Sequence, residues 1–392
     1  VTPSPHDWAG ARATAGTACA PVAPRRTGLD HAAGAVLATD ALALTDLPAT
    51  DTSAMDGWAV AGPAPWRLVG AVLAGEVPGP LADGTAVTIA TGAVMPPRAD
   101  GVLRRERGHV APLADGAARV VPAPGVEAGA ALARDVRRAG GECRAGDVVL
   151  PAGTLLGPAA VGLLAAAGHD HVEVRRAGVD VLVLGDELLG SGPARDGRLR
   201  DALGPLLTAW LPALGLAVTS RRHVPDTAAA LDLALRSCTG DVVVTTGSTA
   251  RGPVDHLHAV LAAAGARLVV DGVAVRPGHP MLLAVLPDGR PLVGLPGNPL
   301  AAVSGLLTLL DPVVAALHAR PAPPRSVVRL AERVEAGAEA TRLVPLHAGR
   351  PALFAGPGML RGLATADVVA VVPPGGAGAG DEVEALTLPG SR

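Results

Sequence analysis

The chain has no lysine and no tyrosine, a single phenylalanine, a single asparagine and three cysteines. Residues with A/T-rich codons (Lys, Asn, Ile, Tyr, Phe) are scarce as a group, which points to genome composition rather than to the fold. All 33 basic residues are therefore arginine, and an arginine at a position suited to lysine can be drift rather than design. Cys19, Cys143 and Cys238 lie far apart, with no CxxC pair and no Cys/His spacing suited to zinc, so a reduced cytoplasmic protein is expected. No basic tail or stripe offers a footprint for nucleic acid, and the net charge is only -3. The N-terminal stretch lacks a basic segment followed by an apolar core, so no signal peptide is expected. The longest apolar stretches, Leu206 to Val218 and Leu300 to Leu317, are interrupted by Pro212 and by Asp311-Pro312. They read as buried helices, and no membrane association is expected.

What is present is length and apolar surface: 392 residues, 49% hydrophobic, enough for about two to four domains. Residues 1–24 are rich in Ala, Pro and Thr without a reliable period and read as a flexible or loosely packed start. Residues 25–48 together with 135–174 read as a discontinuous helical linking domain, with helical apolar spacing at Leu29 to Asp40 and at Pro158 to Ala167. Between them, residues 49–134 carry short apolar runs separated by Gly/Pro clusters, the pattern of an inserted β-domain. Residues 175–318 alternate strand and helix: strands at Val179 to Leu184, Leu216 to Ser220 and Asp241 to Thr246, and helices at Leu199 to Leu214, from a cap at Asp226 to Ser237, and around His256 to Ala264. That order implies a doubly wound parallel sheet whose ligands collect beyond the carboxyl ends of the strands. Residues 319–392 return to β-type alternation and read as a C-terminal β-domain.

The most informative stretch is Val293-Gly294-Leu295-Pro296-Gly297-Asn298-Pro299. It ends an apolar strand with a stiff Gly/Pro turn and opens an apolar helix, with the lone asparagine at the capping position. Such a turn can aim backbone N–H groups at an oxyanion, although a plain structural turn fits as well. Gly185-Asp186-Glu187 and Thr246-Gly247-Ser248 leave other strands toward the same expected edge, where Asp186 and Glu187 suit a divalent metal or ordinary helix capping. Asp51 to Trp58 gathers two carboxylates and two hydroxyls in one loop, and Arg137-Arg138 with Glu142 adds charge nearby. Arg276-Pro277-Gly278-His279 is a second stiffened turn with one permanent cation and one partial one.

Taken together and in order, these segments resemble the MoeA family of molybdopterin molybdenumtransferases, whose mammalian relative is the E domain of gephyrin. The likeness runs from about Leu29 to residue 386. It passes through Asp46-Leu47-Pro48, Asp51 to Val60, Thr91-Gly92-Ala93, Arg137-Arg138 with Gly140, Gly185 to Leu188, Asp241 with Gly247, Asp255, Arg276-Pro277-Gly278 and Gly294 to Pro299. The resemblance implies an α/β and β multidomain fold, a four-domain elongated chain that forms a homodimer with its active site between subunits. The implied reaction inserts molybdate into adenylylated molybdopterin with release of AMP, assisted by Mg²⁺. A molybdopterin adenylyltransferase and molybdoenzymes are the implied partners.

By motif, the same resemblance assigns Asp56, Glu142, Glu187, Asp241 and Asp255 as the catalytic acidic set, with Glu187, Asp56 and Asp201 around the metal. It assigns Thr91, Arg137, Gly247, Ser248, Arg276, His279, Pro296, Gly297, Asn298, Pro299 and Arg361 to the ligand. Arg276 and His279 stand where the family has the lysines of a KPGKP-like stretch. Leu184 and Leu203 replace a hydroxyl and an asparagine, Ser248 replaces a glycine, and Arg361-Gly362 replaces the serines of a GMLSS-like stretch. A working transferase is the first reading. A member that binds pterin or nucleotide as a scaffold without catalysis, and an enzyme of the same fold acting on another nucleotide, stay open beside it.

Overall fold

The computed structural model describes residues 6–126, 133, 135–250, 256–321 and 326–389. The chain divides into two compact units. One comprises Val1–Thr39, Ala152–Pro158 and His171–Arg392; the other comprises Asp40–Pro151 and Ala159–Asp170.

The first unit is built on a six-stranded sheet. Its strands are β1 (Gly178–Leu184), β2 (Ala217–Val224), β3 (Val242–Thr246), β4 (Arg267–Asp271), β6 (Leu282–Val285) and β7 (Pro291–Leu295), in the order β2-β1-β3-β7-β6-β4. The first four in that order run parallel, because helices α2 (Leu203–Ala213), α3 (Ala228–Arg236) and α4 (Leu257–Ala263) carry the crossovers. Every residue of β3 and β7 is buried, which explains their unbroken apolar runs. The far edge is antiparallel. β6 and β7 form a hairpin turned by Asp288-Gly289, where the Leu286 N–H donates to the Arg290 carbonyl at 2.9 Å, a turn signal outweighed by the α/β reading.

The expected helix boundaries shift for local reasons. Thr227, not Asp226, caps α3, its hydroxyl accepting from the Ala230 N–H at 3.2 Å. Leu199–Arg200 is a short strand paired with Leu188–Leu189, so α2 starts only at Leu203. Helical spacing over Leu29 to Asp40 yields one turn, Leu29–Ala32, because Gly34 adopts a left-handed φ of 77° and Val36–Leu37 then joins a sheet with His171–Arg175.

The described part of the N-terminal segment is not loosely packed. Helix α1 (Trp8–Ala15) is capped by Asp7, whose Oδ1 accepts from the Gly10 N–H at 2.6 Å, and buries Trp8, Ala11 and Ala15 at helical spacing. Two of those three positions are alanine, so the apolar stripe is weak in the sequence although the contact is complete. The helix docks where the long helix Pro299–Leu317 loosens into a π turn at Leu306–Leu310. There the Trp8 indole N–H donates to the Thr308 hydroxyl at 3.1 Å, and Arg12 donates to the Leu307 carbonyl and pairs with Asp311 at 3.1 Å. Pro299–Leu317 is long and apolar enough to cross a bilayer, but 83% of its apolar window is buried inside the protein.

A second sheet in this unit has the order β5-β9-β10-β11-β8, from β5 (Val275–Arg276), β9 (Thr341–His347), β10 (Val368–Val372), β11 (Glu382–Thr387) and β8 (Ser326–Arg329). β5 leaves the α/β region to pair in parallel with β9, placing Arg276 on the C-terminal sheet.

The other unit holds a six-stranded sheet of short strands, including Gly57–Ala61, Trp66–Val72 and Thr85–Ile89. One face packs Trp58, Val60, Trp66, Leu103 and Val120; the opposite face packs Ala59, Ala61, Val87 and Ile89. The helix Pro158–Ala166 forms where the spacing predicts it.

Candidate functional site

At the carboxyl edge of the parallel strands, three loops meet. A side chain on Gly247 would come within 3.2 Å of the Leu184 carbonyl, and one on Gly297 within 3.7 Å of the Gly247 Cα. The close approach and the φ of 86° at Gly247 explain glycine there. Its N–H donates to the Leu295 carbonyl at 2.9 Å, locking the β3 and β7 ends together. Ser248 follows with a left-handed φ of 52°.

The helix opening at Pro299 is not the open anion site that the turn suggests. Asn298 occupies the cap position without a side-chain capping bond, and the N–H groups of Leu300 and Ala301 donate to the Pro357 carbonyl at 2.9 and 3.3 Å. A carbonyl from the C-terminal region thus takes the donors an anion would need. Among the described residues, the N–H groups of Gly297 and Asn298 keep no protein acceptor.

The pocket suited to an anion lies on the C-terminal sheet and shares Pro357 with this turn. A cavity of ≈ 240 Å³ is lined by Arg276, Pro277, Arg342, Leu343, Gly356 and Pro357, among others. Register puts Arg276 directly opposite Arg342 in the parallel pair of β5 and β9. Each guanidinium donates to a backbone carbonyl, Arg276 to Val275 at 3.3 Å and Arg342 to Glu335 at 2.6 Å. Neither has a carboxylate partner among the described residues. Two permanent cations lining one pocket without a carboxylate are what an oxyanion would neutralise. Arg342 carries no signal in the sequence beyond an arginine at the head of a strand, and only the β5–β9 register reveals it.

His279 is turned elsewhere. Its Nδ1 bonds the Val273 carbonyl at 2.7 Å, its ring lies beside Gly272, and it does not line the arginine pocket. Arg361 stacks its guanidinium over the Phe354 ring at 4.5 Å from the centroid.

The acidic set separates. Asp241 sits at the amino end of β3, its Oδ2 accepting from the Gly178 N–H at 2.7 Å, so the length of the strand (roughly 17 Å) parts it from the carboxyl edge. Asp201 is spent on α2, accepting from the Gly204 N–H at 2.8 Å. Glu187 precedes and Asp201 follows the Leu188–Leu189 and Leu199–Arg200 ladder, about 10 Å apart along the backbone, and the Glu187 carboxylate folds back over Gly185. Asp255 lies outside the described residues. No three His, Cys, Asp or Glu side chains gather as metal ligands among the described residues. Glu187 itself has no partner among them, whereas Asp186 and Asp226 accept each other's backbone N–H groups at 3.1 and 3.3 Å.

In the other unit Asp56 and Thr91 come together. Asp56 Oδ1 accepts from the Thr91 N–H at 2.7 Å and from the Thr91 hydroxyl at 2.9 Å. Those two bonds, the backbone one first, hold the Asp56 carboxyl below the usual range. Thr52–Ser53 lies between the Gly92–Val94 segment and Val136–Arg137, with Arg137 opposite Thr52. The preceding Asp135 is gripped by a two-pronged Arg104 contact at 2.8 and 2.7 Å, which fixes where Arg137 starts. Asp51 accepts from Arg138 at 2.6 Å and from the Ala139 N–H at 2.8 Å. Glu142 is tied by its N–H to the Leu47 carbonyl at 2.9 Å.

Comparison with known proteins agrees with this architecture. Residues 8–168 match the family described as MoeA N-terminal region (domain I and II), and residues 180–316 match the probable molybdopterin binding domain. A molybdopterin molybdenumtransferase of Synechococcus elongatus is 33% identical over 315 residues, covering 76% of each chain. One from Staphylococcus aureus is 31% identical, covering 73% of this chain and 70% of its own. The crystal structure of a molybdopterin biosynthesis MoeA protein from Pyrococcus horikoshii superposes with a TM-score of 0.72 at 25% identity, covering 98% of this chain and 99% of the other. With relatives this similar over three quarters of its length, the chain belongs to the MoeA family of molybdopterin molybdenumtransferases.

Proposed function

We propose that this protein inserts molybdate into adenylylated molybdopterin, breaking the pyrophosphate bond and releasing AMP. One observation carries the reading: Arg276 and Arg342, opposed on neighbouring strands and without a carboxylate, line a pocket of ≈ 240 Å³. Two permanent cations lining one pocket, neither neutralised by a carboxylate, form a receptor for an oxyanion. The uncapped N–H groups of Gly297 and Asn298 extend the donor set toward a phosphate. Asp56, hydrogen-bonded to Thr91, is the carboxylate this reading takes from the one unit, and Glu187 the one it takes from the other.

Among the described residues no cage of three acidic or imidazole side chains exists, so this reading takes magnesium as an ion shared with the substrate. Bound to the diphosphate, it would neutralise phosphate charge, with Glu187 as the carboxylate free to reach it. The same reading takes the protein as a cytoplasmic homodimer. It would receive its substrate from a molybdopterin adenylyltransferase and deliver the product to molybdoenzymes. The test is to supply purified protein with adenylylated molybdopterin and Mg²⁺. AMP release that starts only when molybdate is added supports the proposal. Binding without release supports a scaffold, and release indifferent to molybdate supports another nucleotide chemistry.

A further inference from the structure

Phe354 is the only phenylalanine of the chain, and it is half exposed at 50%. Its backbone is left-handed, with φ at 58°, a conformation that glycine adopts freely and a bulky residue rarely does. A glycine would relieve this backbone, and the exposed ring adds little to the core, so folding alone does not account for it. The ring does have one specific partner, the Arg361 guanidinium at 4.5 Å. Arg361 is exposed and has no carboxylate partner among the described residues, so without the ring its long side chain would be free to swing through solvent. The loop between them is closed by the Gly362 N–H, which donates to the Phe354 carbonyl at 3.3 Å. A side chain at Gly362 would come within 2.4 Å of the Leu353 carbonyl, so the closure demands glycine. Phe354 immediately precedes Ala355, Gly356 and Pro357, which form a wall of the arginine pocket.

We infer that Phe354 is a positioning residue: its ring holds Arg361, outside the pocket lining but on the loop that continues from the pocket wall, as a third permanent cation for an entering oxyanion. This rests on the functional reading above and deepens it, assigning anion recognition to a stacked guanidinium in this chain. The ring covers one face of the guanidinium and leaves the N–H edge free for a tetrahedral oxyanion.

Sodium molybdate titrated calorimetrically into the full chain, together with molybdate-dependent AMP release, tests the inference. Phe354→Leu and Arg361→Ala should each weaken molybdate binding about three- to fivefold, raising KM while kcat stays within about twofold. Phe354→Trp should retain wild-type affinity. The double variant should bind no more weakly than Arg361→Ala alone, because the ring acts only through the arginine. Phe354→Gly should keep or raise Tm yet still lose affinity, which separates positioning from folding. Additive losses in the double variant, or wild-type affinity in Phe354→Gly, would overturn the inference while leaving the functional reading intact. A wild-type chain that neither binds molybdate nor responds to it in AMP release would overturn both.

Discussion

Arg276 and Arg342 face each other across a parallel strand pair, and no acidic side chain among the described residues separates them. The register brings them together because β5 is the short segment by which the α/β region joins the C-terminal sheet. Two exposed guanidiniums without a carboxylate partner line one pocket there, which suits an anion better than a structural role.

Multivalent oxyanions should therefore stabilise the protein. At a ligand concentration of 100 Kd, unfolding becomes less favourable by about 2.7 kcal/mol, and a thermal melt with and without molybdate or phosphate measures it. Arg342→Ala should abolish most of that increment while leaving the ligand-free Tm unchanged or slightly raised. A ligand-dependent shift of equal size in the variant would place the anion elsewhere.

Thr91 holds the Asp56 carboxylate in place through its N–H and hydroxyl. Asp56→Asn should lower turnover on the order of tenfold or more, because the amide has one acceptor oxygen and no charge. Thr91→Val should produce a smaller loss, since the backbone donor survives. Steady-state AMP release would compare the two, and a larger effect from Thr91→Val would contradict the assignment.

Much of this architecture is legible in the sequence where the signal is local. The Val179 to Leu184 and Asp241 to Thr246 runs announce buried strands, and the Gly/Pro turns after β1, β3 and β7 do meet at one edge. What is not legible depends on distant segments finding each other. The Pro357 carbonyl closing the helix after Asn298, Arg342 arriving opposite Arg276, and α1 settling on a π turn each join residues far apart in the chain. Asp241 and Asp201 mislead for a related reason. Acidic residues that begin strands and helices look the same in a sequence whether they serve a ligand or, as here, satisfy a backbone N–H group.

Ser248 holds a left-handed backbone that a glycine would take without strain. Ser248→Gly should stabilise the protein by up to roughly 1 kcal/mol, read from the midpoint of chemical denaturation. A destabilised variant would mean that the serine side chain contributes more than the strain costs.

His318 is fully buried, with the Ala177 N–H donating to its Nε2 at 3.0 Å. Burial first, then the charge of Arg320, pushes its pKa down from 6.5 to about 4, with Asp241 acting in the opposite direction. The unfolded chain binds the proton more readily, so stability from this group is present above pH 6.5 and is lost as pH falls toward 4. The whole window is worth about 3 kcal/mol. His318→Gln, which keeps an acceptor for Ala177, should flatten the decline in stability between pH 7 and pH 5 relative to wild type. Parallel pH profiles for the two proteins would rule out this origin.

The central claim is that an oxyanion held at Arg276 and Arg342 drives cleavage of the adenylylated pterin. Single-turnover AMP release, followed with and without molybdate in wild type and in Arg276→Ala, tests it most directly. The account predicts a molybdate-triggered burst in the wild type and its loss in the variant, with the bound pterin retained. A burst that ignores molybdate, or one that survives in Arg276→Ala at the same molybdate concentration, would contradict it.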